Sequence, residues 1–113
     1  MSRKSLKITN KYVVTNKFNV KPNYYTSFET LWKTRKSYLK DMPGFISFDL
    51  LKNNFTNGEY ISLTIWEDQK DFKAWLESPQ FVESHGINDL EKLNKMRDMV
   101  YNMPITEYYD VIA

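Results

Sequence analysis

Tyr60-Ile61-Ser62-Leu63-Thr64-Ile65-Trp66 follows Phe45-Ile46-Ser47-Phe48-Asp49-Leu50, and each run has the period-two alternation of a β-strand. Between them, Asn53, Asn54, Asn57 and Gly58 make a turn, with Asn57 and Gly58 suited to positive φ. The pair reads as an antiparallel hairpin. In its first strand Ile46, Phe48 and Leu50 share a face. In its second, Ile61, Leu63 and Ile65 read as the inward face, and Tyr60, Ser62, Thr64 and Trp66 point the other way.

Upstream, residues 12–20 alternate again, with Tyr12, Val14, Phe18 and Val20 on one face and Val13, Thr15, Lys17 and Asn19 on the other. Asn16 is the only polar residue on the apolar face. After Lys21, Pro22 and Asn23 break the period, Tyr24, Tyr25, Phe28, Leu31, Trp32, Arg35 and Leu39 recur at helical spacing. They predict an amphipathic helix of about four turns, ended by Met42-Pro43-Gly44. Downstream of the hairpin, Asp68 caps a short helix whose stripe is Phe72, Trp75 and Leu76. Ser78 and Pro79 then begin another helix, which carries Phe81, Val82 and His85 and is terminated by Gly86. Asn88 and Glu91 have capping-box spacing before Leu90, Leu93 and Met96, and Ile105 to Ile112 reads as a fourth strand.

The order strand, helix, strand, strand, helical region, strand is that of an α+β ferredoxin-like fold with an antiparallel sheet. Helices on one face leave the other to be covered. Tyr60, Trp66, Tyr108 and Ile112 read as belonging to that second apolar face, so a second copy of the chain is expected against it. Residues 1–11 form a basic extension, in which Arg3, Lys4, Lys7 and Lys11 lack a balancing acid, and 12–113 form one domain.

A chain of 113 residues supports one core, and 42% hydrophobic with 16% aromatic residues is enough to fill it. A net charge of +2 argues for no nucleic-acid partner. The apolar runs fall short of the roughly 20 residues that span a bilayer, and no leader pattern opens the chain, so a cytoplasmic protein without a membrane partner is expected. There is no cysteine, which removes disulfides, thiolate ligands and a thiol nucleophile. Three glycines cannot assemble a dinucleotide fingerprint, and no hydrolytic triad stands at a recognisable turn.

His85 is the only histidine. On an apolar helix face such a residue is ordinarily a core or boundary side chain with local partners. As a metal ligand it is too few for zinc, which takes three or four protein ligands, but enough for haem, whose porphyrin supplies four nitrogens. Asn16 either bonds to a neighbouring loop or points a donor into a pocket. Trp75 is either core or a pocket wall, on the helix just before the one with His85.

Several segments together resemble the IsdG-type haem-degrading monooxygenases, within the antibiotic-biosynthesis-monooxygenase-like dimeric α+β barrel superfamily. They are Val14-Thr15-Asn16-Lys17, Met42-Pro43-Gly44-Phe45, Leu63-Thr64-Ile65-Trp66-Glu67, Phe72-Lys73-Ala74-Trp75-Leu76-Glu77-Ser78, Phe81 and Ser84-His85-Gly86. The similarity runs from about Tyr12 to Ile112, and the turn and the Ile65-Trp66-Glu67 segment are shared with non-haem relatives. The resemblance implies a ferredoxin-like monooxygenase domain that pairs into a dimeric barrel. It places the family's distal asparagine on Asn16, its haem-contacting tryptophan on Trp75 and its proximal histidine, the iron ligand, on His85, ten residues after Trp75. Arg35 falls where an arginine meets the haem propionates, while Leu31 fills another such place. Haem is then both cofactor and substrate, opened with molecular oxygen and electrons from an external donor, with release of iron. Asn16 is implied as the hydrogen-bond donor to activated oxygen, and Trp75 as the side chain that distorts the macrocycle. The same residues leave three alternatives: a cofactor-free monooxygenase acting on an aromatic or quinol-like substrate, a non-catalytic haem-binding dimer, or a dimeric domain without catalysis.

Overall fold

The structure, a computed structural model, describes residues 9–35, 37–85 and 89–113. Four strands, β1 (Tyr12–Asn19), β2 (Phe45–Lys52), β3 (Glu59–Trp66) and β4 (Ile105–Asp110), form one antiparallel sheet in the order β2-β3-β1-β4. Four helices accompany it: α1 (Tyr25–Thr34), α2 (Gln69–Leu76), α3 (Pro79–His85) and α4 (Leu90–Met99). Central β1 pairs with β3 along its whole length, Tyr12 opposite Trp66 and Asn19 opposite Glu59.

The local reasons are those of the sequence. Asp68 accepts from the Lys70 amide at 2.9 Å and starts α2, and Ser78 Oγ accepts from the Phe81 amide at 3.1 Å and starts α3. The turn into β2 closes when the Phe45 amide donates to the Met42 carbonyl at 3.2 Å, with Pro43 and then Gly44 at φ +79°, as a type II turn requires. Gly58, at φ +86°, lies where a Cβ would come within 2.6 Å of the Val20 carbonyl oxygen, so this end of the hairpin admits only glycine. Asn57 does not share its positive φ.

Four expectations change. The helix after β1 is shorter: a 3₁₀ turn at Pro22–Tyr24 leads into α1, which ends at Thr34, and Leu39 lies in a separate 3₁₀ turn, Leu39–Asp41. Thr34 bonds its hydroxyl back to the Thr30 carbonyl at 2.8 Å, and Arg35 leaves the helix at ψ 148°. In α2, Leu76 is exposed and does not join the buried stripe of Phe72 and Trp75. The cap of α4 is Asp89, accepting from the Lys92 amide at 3.2 Å; Gly86 and Asn88, and with them the expected stop signal and capping box, lie outside the described residues. Lys11 is balanced, by Glu67 across the sheet end.

The largest correction is the facing of β3. Among the described residues Tyr60, Ser62 and Trp66 are buried on one face of β3, whereas Ile61, Leu63 and Ile65 are only partly buried on the other, which they share with Val13, Leu51, Ile105 and Tyr109. Both sets are apolar, so alternation alone did not choose between them. On the helix side Tyr60 meets Phe28 at 4.8 Å and Trp66 meets Phe72 at 5.9 Å between ring centroids, contacts that the aliphatic set cannot make. Tyr108 also faces the helices, stacked on Tyr12 at 6.4 Å, and Ile112 lies beyond β4. Among the described residues an apolar face without a covering helix therefore exists, but it is mostly aliphatic, with Tyr109 its aromatic member, and it does not include Tyr60, Trp66 or Tyr108.

Candidate functional site

Beneath the helices the core is in two parts. One gathers Tyr12, Val14, Leu39, Trp66, Phe72 and Trp75; the other gathers Phe18, Val20, Phe28, Tyr60, Met99 and Val100. Along β1 the boundary between them is Asn16. Its register partners are Ser62 on β3 and Thr106 on β4, so three polar side chains lie abreast on the covered face. Asn16 Nδ2 donates to Ser62 Oγ at 3.3 Å, and the Thr106 hydroxyl donates to Asn16 Oδ1 at 2.5 Å. Ser62 is the one buried polar residue among those described. The amide is thus satisfied by neighbouring strands rather than by a loop, and an amide NH₂ has a second hydrogen to offer.

Trp75 and His85 come together. Trp75, 5% exposed, meets Trp66 at 6.4 Å, Phe81 at 5.5 Å edge-on and His85 at 6.2 Å between ring centroids. Phe81 covers one face of the imidazole, with centroids 4.0 Å apart, while the histidine keeps contact with solvent. His85 Nδ1 lies 2.9 Å from the Phe81 carbonyl oxygen and 2.9 Å from Ser84 Oγ. A carbonyl only accepts, so Nδ1 carries the proton in the neutral ring and Nε2 carries the lone pair. Desolvation lowers the His85 pKa below its ordinary 6.5; the nearby Arg35 charge also lowers it, and the Phe81 carbonyl partly opposes both. The lowered pKa favours the neutral ring with its lone pair on Nε2, and the Phe81 carbonyl of the same helix orients it.

Arg35 is the third element of this group, since its charge is felt at His85. Its guanidinium carbon sits 4.1 Å from the centroid of Trp32 and 5.4 Å from that of Phe48, and the two rings are themselves stacked at 5.5 Å and 8°. No ion pair among the described residues includes it, and burial lowers its pKa. An aromatic platform holds the cation in place of a carboxylate. Asn16 is not joined to Trp75 or His85 by any hydrogen bond or ring contact among the described residues: it lies on the sheet floor, and they lie on α2 and α3.

A cleft of about 190 Å³ opens beside the Trp32–Phe48 platform, lined by Glu29, Trp32, Lys33, Phe48, Leu50, Lys52 and Tyr60. It excludes Asn16, Trp75 and His85 and is smaller than the roughly 300–1,000 Å³ of small-molecule pockets. Its polar side is occupied internally, because the Tyr60 hydroxyl donates to Glu29 at 2.5 Å and Lys52 donates to the same carboxylate at 3.0 Å. Among the described residues no three of His, Cys, Asp and Glu cluster to hold a metal ion. The donor set suits a metal that brings its own equatorial ligands: one oriented imidazole, a cation without a carboxylate, and aromatic walls.

Ser62, Thr106 and the Trp32–Phe48 pair were not singled out from the sequence, and Phe81 was named there without its contact to the imidazole. Ser62 carried a readable signal once Trp66 was placed inward, four residues on and therefore on the same face. Thr106 had none, because both faces of β4 mix polar and apolar side chains.

The sequence pattern of a family described as antibiotic biosynthesis monooxygenase matches residues 11–86. A heme oxygenase (staphylobilin-producing) of Staphylococcus haemolyticus is 30% identical over 80 residues, covering 69% of this chain and 76% of that protein. Among solved structures, the heme-degrader MhuD of Mycobacterium tuberculosis, with two hemes bound in its active site, superposes with a TM-score of 0.71 at 20% identity, over 90% of this chain and 96% of that one. The cofactor-independent oxygenase SnoaB of Streptomyces nogalater superposes with a TM-score of 0.65 at 18% identity, over 93% and 96%. At these identities the two structures establish a shared fold, and both kinds of oxygenase have it.

Proposed function

Because the chain belongs to the antibiotic biosynthesis monooxygenase family, we propose that it is a haem-degrading oxygenase, taking haem as substrate and using molecular oxygen with an external electron donor. The observation that carries this reading is the state of His85. Its Nδ1–H is committed to the Phe81 carbonyl, its pKa lies below the ordinary value, and its Nε2 lone pair remains for iron. When bound, haem supplies the redox chemistry and the protein supplies its orientation. His85 would hold the iron from the α3 side. Asn16 would present its remaining amide hydrogen from the sheet, Trp75 would press on the macrocycle, and Arg35 would meet a propionate. The likeness to a staphylobilin-producing heme oxygenase supports the same reading.

The functional unit in this reading is a cytoplasmic homodimer. Its interface is the uncovered sheet face of Val13, Ile61, Leu63 and Ile65, so that two sheets pack into a barrel with one site per subunit. Among the described residues no helix is long and apolar enough to cross a membrane.

A second reading, a cofactor-free monooxygenase acting on an aromatic or quinol-like substrate, is favoured by the Asn16–Ser62–Thr106 row, which offers hydrogen bonds between aromatic walls without any metal. Haem titration of the purified protein, followed by a reductant in air, decides between them. A haem absorption band that disappears in His85→Ala, and that bleaches on reduction in oxygen, is the expected result. No band in the unaltered protein overturns the haem reading, and a band without bleaching leaves a non-catalytic haem binder.

A further inference from the structure

We infer that Thr106 and Ser62 are positioning residues that fix which end of the Asn16 amide faces the site. This rests on the reading of Asn16 as a donor. A side-chain amide can turn by about 180° and exchange its donor and acceptor ends, so a donor is dependable only when its surroundings distinguish oxygen from nitrogen. Ser62 alone does not do this, because a hydroxyl both donates and accepts, and its 3.3 Å contact is loose. Thr106 does. Its 2.5 Å separation from Asn16 Oδ1 lies within the range of an O–H···O bond and is shorter than an N–H···O bond allows, so a reversed amide would have to draw away from Thr106 and loosen that contact. With Oδ1 held toward β4, Nδ2 is held toward β3, where Ser62 takes one of its hydrogens and the other stays available.

The placement is structural in origin. Ser62 and Thr106 are the direct register partners of Asn16 on its two neighbouring strands. A slip of one residue on either strand would carry the hydroxyl to the other face. Ser62 is 4% exposed, so little bulk water competes on its side of the amide, whereas Thr106 lies exposed on the edge strand β4.

The test compares Thr106→Val, which keeps the β-branched shape and removes the hydroxyl, with Thr106→Ser, which keeps the hydroxyl. In the apo protein, the ¹⁵N–¹H signals of the Asn16 side chain, assigned by their loss in Asn16→Ala, should form one resolved pair. They should broaden or double in Thr106→Val and return to one pair in Thr106→Ser. With haem and a reductant, Thr106→Val should lower the single-turnover rate roughly two- to tenfold, through lost population and lost alignment of the donor, with haem affinity unchanged. Thr106→Ser should restore the rate. A single unshifted amide pair in Thr106→Val overturns the inference, since a residue that only stabilises β4 would leave that signal alone. An unaltered protein that never binds haem overturns the haem reading instead, and the apo amide signals still decide the role of Thr106.

Discussion

Replacing Trp75 with phenylalanine sets packing against chemistry most directly. The indole is 5% exposed and lies against Trp66, Phe81 and His85. Truncation to alanine would open a cavity among those rings and cost about 3–5 kcal/mol, a large part of the stability of a chain this size. Phenylalanine keeps one ring and loses the equivalent of two or three buried carbons, about 1–2 kcal/mol. At roughly 4–8 °C per kcal/mol, the melting temperature should fall by about 5–15 °C and the protein should still fold. If Trp75 also presses on the macrocycle, the Phe variant should bind haem, show weaker out-of-plane vibrational modes and degrade haem more slowly, because less binding energy goes into distortion. Thermal melting, resonance Raman spectra and single-turnover rates on one preparation separate the two roles. A lower melting temperature with unchanged ruffling and an unchanged rate would refute the proposed pressure on haem and leave Trp75 as core.

Asn16→Ala should retain haem and lose ring cleavage; it should also lower stability by about 1–3 kcal/mol in urea unfolding, because the buried Ser62 hydroxyl loses its partner. Phe81→Leu should raise the His85 pKa toward 6.5 in an NMR titration, since the ring that desolvates the imidazole is gone. With the native pKa held below 6.5, the unfolded chain binds the proton first. Stability from His85 is therefore complete above about pH 6.5 and is lost as pH falls through the native value, and His85→Ala should flatten that part of the urea-midpoint profile. Sedimentation should give about twice 13.6 kDa, and Leu63→Asp, in the middle of the uncovered face, should shift it to the monomer.

What could be read from the sequence followed where one physical signal was unopposed. In β1 the covered face is apolar except at Asn16, and the structure places that residue on the sheet floor between two apolar groups. The starts of α2 and α3 were legible because Asp68 and Ser78 have a single useful role there. In β3, Ile61-Leu63-Ile65 and Tyr60-Trp66 compete for the same core, and aromatic packing against Phe28 and Phe72 decided what alternation left open. The end of α1 was hidden because Arg35 continues the helical spacing yet leaves the helix to stack on Trp32. The orientation of His85 depends on a carbonyl four residues back, which any histidine on a helix has, so nothing in its neighbours' identities announced it.

Arg35 offers the sharpest separation between haem and an uncharged aromatic substrate. A half-buried guanidinium with no carboxylate partner among the described residues is costly to desolvate, and stacking on Trp32 and Phe48 returns only part of that cost. A ligand with a carboxylate at that point would relieve it through a charge-assisted hydrogen bond; a neutral quinol would not. Haem and its dimethyl ester differ in that charge alone, so the pair isolates the contribution. Arg35→Met keeps an unbranched apolar stem on the platform and removes the cation. The unaltered protein should bind haem about ten- to a hundredfold more tightly than the ester, in line with about 1.5–3 kcal/mol for a hydrogen bond to a charged group. In Arg35→Met that preference should vanish, while affinity for the ester stays the same. The same substitution should raise the His85 pKa, because a neighbouring positive charge is gone. Equal weakening toward haem and ester would mean that Arg35 supports the Trp32–Phe48 stack and meets no propionate, and the uncharged-substrate reading would gain accordingly.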